Sequence, residues 1–385
     1  MNIPFYYNLR NLKVRAGATA LTAAGIAVTV CVAVIVAGMV AGLNRAFATN
    51  GDPLNILILR KGLDTEYASS VSKQSFQTVK TLDGIGQSSD GQALASLEVV
   101  TGIVLSRRDG SGDTNVTLRG VDAPGIQLRR HMRIFEGRWF HDGQRELVAG
   151  RSLKKRFDVD VGSQIFFGRG EWTVVGIFDD NNAAQESELW ADANQVASDS
   201  PRPHYSSMLI QARDESTAAA LMRQIENDSR LDVAVFSEPE YYARQTAAGN
   251  SIKFVGLFIA LIMAAGSCFA AANTMFASVA YRADEIAVLR VMGFSRSDIL
   301  ASFLLESAVV AFMGGVLGVL LMAPFDGFTT GTMNSFTFSE MVFRFELTPE
   351  VIAIALGAAV LMGMIGGIVP SWAAAREDIV VKLRG

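Results

Sequence analysis

Four stretches of the chain are apolar for long enough to cross a bilayer, and the rest alternates between apolar and polar positions. Residues 18–43, 254–280, 300–323 and 351–369 are near-continuous runs of Ala, Val, Ile, Leu, Met, Phe and Gly. About 20 helical residues cover the roughly 30 Å hydrocarbon core of a membrane, so each run predicts a transmembrane helix. Residues 44–253, between the first run and the second, have the texture of a folded aqueous domain. There NILILR at 55–60 predicts a strand, and 66–82 a helix carrying Val71, Phe76 and Val79. Strands follow at 97–105, 115–119, 146–148, 163–167 and 171–178, the last two joined by a turn at Gly168, Arg169 and Gly170. A strand at 206–213, a helix at 215–227, a strand at 232–236 and a helix from Glu238 into the second run complete the segment. The α/β material at about 44–95 and 205–250 therefore brackets a β-rich insertion at about 96–204.

Composition agrees with this reading. Half the residues are hydrophobic, 19% are charged and the mean hydropathy is +0.28, which excludes an ordinary soluble enzyme of this length. The expected fold is an α-helical membrane protein with four transmembrane helices and a large α+β extracytoplasmic domain between helices 1 and 2. The net charge of −4 conceals an asymmetry that sets orientation. Arg10, Lys13 and Arg15 precede the first run, Arg282, Arg290 and Arg296 lie between the second and third, and Arg376, Lys382 and Arg384 follow the fourth. Between the third and fourth, Arg344 stands against Asp326, Glu340, Glu346 and Glu350. Both termini and the 281–299 segment are thus expected in the cytoplasm, and 44–253 outside. Residues 1–17, mixing Phe5, Tyr6 and Tyr7 with cations, predict a helix in the inner interface. The outer loop 324–350 is expected to pack on the outer domain, and Pro370 to end the straight helix ahead of a cytoplasmic tail over 370–385. Ala46, Phe47 and Ala48 imitate a signal cleavage site, but the run before them is far longer than a signal core, which favours a retained helix.

Within the runs, Gly38 and Gly42, Gly314 and Gly318, and Gly363 and Gly367 form small-xxx-small pairs that suit close helix packing. Cys31 and Cys268 sit inside runs and read as packing residues. Glu306, one turn into the third run, is the full charge of the membrane interior. An intramembrane carboxylate is a functional candidate by default, with snorkelling or pairing to Arg282 or Arg296 as its structural alternative. In the 281–299 segment, Arg282, Glu285 and Leu289 recur at helical spacing, Gly293 offers a stop, and Ser295 and Asp298 supply a capping box.

The segment's order of Arg282, Glu285, Ile286, Leu289, Arg290 and Gly293, then Ser297, Asp298 and Ile299, resembles permease subunits of the MacB/FtsX (mechanotransmission, type VII) class of ABC transporters. Leu305 and Glu306 with Gly314, Gly315 and Gly318 are similar to the same family, as are Gly367 to Pro370, Ala374 to Arg376, and Leu383 with Arg384. The family often has a proline where this tail has Ile379. The outer domain resembles a MacB-type periplasmic core at Gly120 to Asp122, Gly137 to Phe140, Val161 to Ser163 and Val174 to Ile177. The resemblance implies a dimer of this chain, or of it and a paralogue, in a bacterial inner membrane. Arg282, Glu285, Ile286, Leu289, Arg290, Met292 and Gly293 would then dock on ABC ATPase subunits, with membrane lipid, a periplasmic adaptor or a lipoprotein as further partners and no nucleic acid.

The 385 residues hold no GxxxxGK[ST] loop, so ATP and Mg are expected on a separate ATPase subunit, with no cofactor, catalytic residue or metal on this chain. His131, His141 and His204 lack ligand spacing, and no GxSxG elbow occurs. The basic residues Arg129, Arg130, Arg133, Arg151, Lys154, Lys155 and Arg156 read as a solvated face. Two functions fit: export or extraction of a hydrophobic or amphipathic molecule or a lipoprotein, or transmembrane signalling to a partner such as a cell-wall hydrolase. The large outer domain favours the first, and a membrane-anchored binding module without ATP coupling is the weaker third.

Overall fold

The computed structural model describes residues 16–48, 51–180, 184–200, 204–245, 248–333 and 339–376. The expected interfacial helix before residue 16, the tail beyond 376 and the junction at 246–247 lie outside the described residues. The chain divides into a helical unit, Met1–Ala41, Gly249–Phe328 and Phe345–Gly385, and an outer unit, Gly42–Ala248 and Thr329–Arg344.

Helix α1 (Ala16–Ala48) opens the described chain. The outer unit then runs β1 (Asn55–Arg60), α2 (Lys73–Lys80), β2 (Ala95–Ser106), β3 (Asp113–Val121), α3 (Ala123–Gln127), β4 (Arg133–Gly137), β5 (Glu146–Gly150) and α4 (Arg151–Arg156). It continues through β6 (Gln164–Phe167), β7 (Gly170–Asp179), β8 (Glu188–Asp192), α5 (Ala193–Asp199), β9 (Ser207–Gln211), α6 (Glu215–Asn227), β10 (Val233–Ser237) and α7 (Glu238–Gln245). The strands form one sheet in the order β10-β1-β9-β2-β3-β8-β5-β7-β4, with β6 on β7. Strand β2 joins its halves: Ala95–Glu98 pairs antiparallel with β9, and Val99–Ser106 with β3.

Each half has its own core. Ile56, Ile58, Val79, Ile210, Leu221 and Ile225 pack together from the two chain ends of the unit, and Val116, Leu118, Phe157, Trp172 and Leu189 from the segment inserted between them. Each such side chain contributes about 1.5–3 kcal/mol on full burial.

The outer unit departs from the sequence pattern at a helix start and at a central strand. The helix expected over 66–82 starts only after Ser72, whose hydroxyl caps Ser75 N–H, because Glu66 turns inward to meet buried Arg119. Strand β8 was not anticipated, although it lies mid-sheet between β3 and β5. It is five residues long and buried on both faces at Leu189 and Trp190, so no alternation marks it.

The helical unit continues with α8 (Ala248–Tyr281), α9 (Ala283–Val291) and α10 (Arg296–Met322). The hairpin β11 (Thr329–Met333) and β12 (Glu340–Arg344) precedes α11 (Pro349–Arg376). Four helices, α1, α8, α10 and α11, are long and apolar enough to span a membrane. Pro370 does not end α11, which continues to Arg376 while Ala374 and Ala375 stay buried.

Helix α10 takes neighbours on two glycine faces. A β-carbon at Gly314 or Gly318 would lie 2.6 or 2.8 Å from the carbonyls of Ala23 and Ala27 in α1, while one at Gly315 would lie 2.9 Å from Ala359 in α11. From α11, Gly363 approaches the Ser307 carbonyl, Gly367 the Ser307 side chain, and Gly366 the Cys268 carbonyl of α8. Gly38 and Gly42 depart from the expected helix-on-helix role. Gly38 receives the Phe345 ring and Gly42 the Arg344 carbonyl, so their small face admits the chain that leads into α11. Hydroxyls add interhelical bonds from α1 to α8, Thr22 to Thr274 at 2.9 Å and Thr29 to Ser267 at 2.6 Å. The thiols of Cys31 and Cys268 donate to the carbonyls of Gly318 and Met362.

Candidate functional site

Residues 281–299 form a short helix closed at its C-terminal end by a turn its sequence prescribes. Arg282 leaves helical geometry at φ −103°, ψ 17°, but its N–H still reaches the Ser278 and Val279 carbonyls, and Ile286 N–H reaches the Arg282 carbonyl. Helix α8 therefore passes into α9 through a distortion without losing its hydrogen-bonded path. At the far end Phe294 N–H donates to the Leu289 carbonyl and Gly293 N–H to the Arg290 carbonyl, with Gly293 at φ +94°. This is a Schellman stop, whose left-handed residue favours glycine. Ser295 and Asp298 then cap α10 reciprocally: Ser295 Oγ accepts from Asp298 N–H at 3.1 Å, and Asp298 Oδ2 accepts from Ser295 N–H at 2.8 Å.

The root of this segment is tied to α10 by charge. Arg282 Nη1 donates to Glu306 Oε2 at 2.8 Å with both side chains buried, and Arg282 Nε reaches Glu285 Oε2 at 3.4 Å. The guanidinium also lies 4.9 Å over the Phe303 ring. Of the two partners open to Glu306 in the sequence, the structure supplies Arg282.

The seven residues expected to couple divide. Arg282 and Ile286 face inward, Ile286 packing with Met275, Val279, Ile299, Phe303 and Ala374. Leu289 and Arg290 are half-buried, Arg290 donating to the Phe294 carbonyl, while Glu285, Met292 and Gly293 are exposed. The outward apolar face consists of Val288, Val291 and Met292, at 56, 66 and 58% exposure. Val288 and Val291 escaped the sequence reading, although their i, i+3 spacing is the available signal. Beside Glu306, a pocket of the helical unit is lined by Thr19, Thr22, Thr274, Ser278 and Ser307.

In the outer unit a buried ion cluster lies where β2, β3 and β8 adjoin. Arg119 takes Glu66 at 2.8 and 3.0 Å, Glu98 at 2.9 Å and Glu188 at 2.8 Å, and Arg129 takes Glu98 at 2.6 and 2.9 Å. Burial opposes ionisation of Glu66, but Arg119 outweighs it and holds the carboxyl below its usual range.

The basic residues are not a plain solvated face. Arg129 is buried in this cluster, Arg151 pairs with Asp179 and Lys154 with Glu136, and Arg156 joins Arg107 on Glu340 of β12. That clamp, with Thr117 donating to Ser339 and Val342 N–H donating to Ser187, fixes the β11–β12 hairpin within the outer unit. The expectation that the 324–350 loop packs on the outer domain holds for this part of it. Among the described residues, no three His, Cys, Asp or Glu side chains are grouped to hold a metal ion.

Residues 257–379 match the family model described as FtsX-like permease C-terminal, and residues 19–228 match that described as MacB-like periplasmic core domain. The macrolide export ATP-binding/permease protein MacB of Pasteurella multocida is 26% identical, over all of this chain and 59% of that protein. The protein of the same name from Nitrosomonas europaea is 27% identical over 67% of this chain and 41% of its own length. The chain thus spans less than two thirds of either relative. Among solved structures, the periplasmic region of MacB from Actinobacillus actinomycetemcomitans covers 52% of this chain and 94% of its own, at 15% identity and a TM-score of 0.38.

Proposed function

Because the chain belongs to the family of FtsX-like permeases with a MacB-like periplasmic core domain, we propose that it is the multi-pass inner-membrane subunit of an ABC transporter. In this reading residues 281–299 receive the ATP-driven movement of ABC ATPase subunits, and the helices pass it to the outer unit. The work done there is export or extraction of a hydrophobic or amphipathic molecule or a lipoprotein. The relatives are named for macrolide export and for ATP binding and permease in one protein. For this chain we place the ATPase, with its ATP and Mg, on a separate subunit and pair the permease with a second copy or a paralogue. The Lys and Arg asymmetry supports cytoplasmic termini and a cytoplasmic 281–299 segment.

One observation carries the proposal. Helix α9 is clamped at both ends, by Arg282 to Glu306 at its root and by the Schellman stop and capping box at its tip, while Val288, Val291 and Met292 face outward. A rigid turn with an exposed apolar edge suits a groove on a partner, as amphipathic helices generally bind.

The test is to purify the full chain in mild detergent with the ABC ATPase that accompanies it, and to repeat this with Val291→Lys and Met292→Lys together. Burial of these side chains is worth enough that their loss should weaken association at least about tenfold and abolish coupled ATP hydrolysis, with membrane insertion retained. Full coupling in the variant would sink the docking assignment.

A further inference from the structure

The outer unit contains a cleft that the coupling reading does not use. Arg129 and Arg130 follow α3 into it, Asp180 lines it next to the end of β7, Gln185 from the 3-10 turn Ala184–Ser187, and Glu238 as the first residue of α7. A buried acceptor there lacks a donor, and two carboxylates open beside it. Gln185 is 4% exposed, and its Nε2 donates to the Tyr242 hydroxyl at 3.0 Å, while its Oε1 has no hydrogen-bond partner among the described residues. Glu238 is 3% exposed; its Oε2 accepts from Asn55 Nδ2 at 2.8 Å and from Asp52 N–H at 3.1 Å, and no hydrogen bond within the described residues reaches its Oε1. Asp180 is likewise buried, and its backbone N–H donates to Glu186 Oε1, but its carboxyl accepts no hydrogen bond among the described residues.

The nearby guanidinium does not satisfy these acceptors. Both terminal nitrogens of Arg129 are engaged by Glu98, which leaves Arg129 Nε as a buried donor without a partner among the described residues. Unpaired, Gln185 Oε1 and Arg129 Nε each cost about 1–3 kcal/mol, and with the Asp180 and Glu238 carboxylates beside them the cleft suits a guest that brings several donors and one acceptor. A bare metal ion brings no acceptor and lacks a ligand group here among the described residues.

We propose that this cleft binds a small molecule through a primary ammonium group. Its N–H donors meet Gln185 Oε1, the Asp180 carboxylate and Glu238 Oε1, and an oxygen of the same molecule accepts from Arg129 Nε.

A pH dependence follows. Burial first, then the charges of Glu186, Glu188 and Asp179, push the Asp180 carboxyl up to about 7, against the pull of Arg129. Arg130, His131, Asp52 and Glu238 also face the cleft. An ammonium prefers the ionised carboxylate, so binding releases the Asp180 proton and tightens as pH rises from about 6 to about 8.

The experiment is calorimetric titration of the full chain in nanodiscs with ethanolamine. Tetramethylammonium serves as a cation without N–H donors, and acetate as an anion. Saturable binding of ethanolamine alone is expected. Gln185→Leu should weaken it about tenfold, the worth of one lost hydrogen bond to a charged group. The isosteric Asp180→Asn should weaken it and remove the rise with pH, and it keeps the test decisive if Gln185→Leu does not fold. Absence of saturable heat would mean that water alone fills the cleft and would overturn the proposal. Equal binding of either control, or a pH dependence that survives Asp180→Asn, would overturn it as well. The coupling role of residues 281–299 stands or falls separately.

Discussion

Arg282 in the helical unit and Arg119 in the outer unit are both almost fully buried, and both are neutralised by glutamates, but they differ in how much structure depends on them. Among the described residues Arg282 pairs with buried Glu306 and with half-exposed Glu285. Arg119 binds Glu66, Glu98 and Glu188, and Glu98 in turn binds Arg129. A buried pair can be exchanged as a unit for apolar side chains of similar volume at little net cost. Removing one member of a network leaves a buried charge without compensation. The first arrangement suits a joint whose position matters, the second a scaffold that must not come apart.

The comparison breaks most severely at Arg119. In Arg119→Met three carboxylates lose their common partner inside the sheet, and a loss of about 3–5 kcal/mol is expected. Thermal unfolding of the chain with Trp372→Phe, followed by tryptophan fluorescence to which the fully buried Trp172 and Trp190 contribute, reads the outer unit. A melting temperature equal to the parent's would show that the cluster contributes nothing to the scaffold.

The helical pair gives a smaller and more selective effect. Glu306→Gln removes the buried counter-charge of Arg282 and should lower stability in detergent by about 1–3 kcal/mol. Arg282→Met combined with Glu306→Leu should recover most of that loss. If the pair only stabilises, the double variant also recovers coupled ATP hydrolysis. If it positions α9, coupling stays lost although the fold returns, and that second outcome is the one expected.

The same contrast explains what the chain discloses before its structure is known. Glu306 is legible because it interrupts an apolar run, and the four spans, the Gly293 stop and the Ser295 box follow from equally local signals. Glu66, Glu98, Arg119 and Glu188 are spread over more than a hundred residues among surface-like charges; the pairing of β2, β3 and β8 brings the last three together, and Glu66 joins them from the turn after β1. Strand β8 is illegible because burial on both of its faces, at Leu189 and Trp190, removes the alternation that would mark it. Arg129 misleads for the converse reason: its place in a basic stretch suggests solvent, whereas the structure buries it on Glu98 with its guanidinium 5.1 Å over the Trp190 ring. Gly38 and Gly42 show that a small-residue pair announces a close approach without naming what approaches.

The smallest expected effect tests whether α9 needs its tip fixed as firmly as its root. Ser295→Ala removes a hydroxyl that accepts from Asp298 N–H, at an expected cost of about 1 kcal/mol. The change leaves Arg282, Glu306 and the outward face of Val288, Val291 and Met292 untouched, so ATPase association should persist. What should change is the geometry held between Gly293 and α10. Hydrogen exchange at Phe294 and Asp298 should therefore accelerate while that at Ile286 does not. If coupled ATP hydrolysis falls with association intact, the turn transmits movement as well as displaying a docking face. If coupling is unchanged, the Arg282–Glu306 joint alone sets the position of the helix, and the tip serves only to end it.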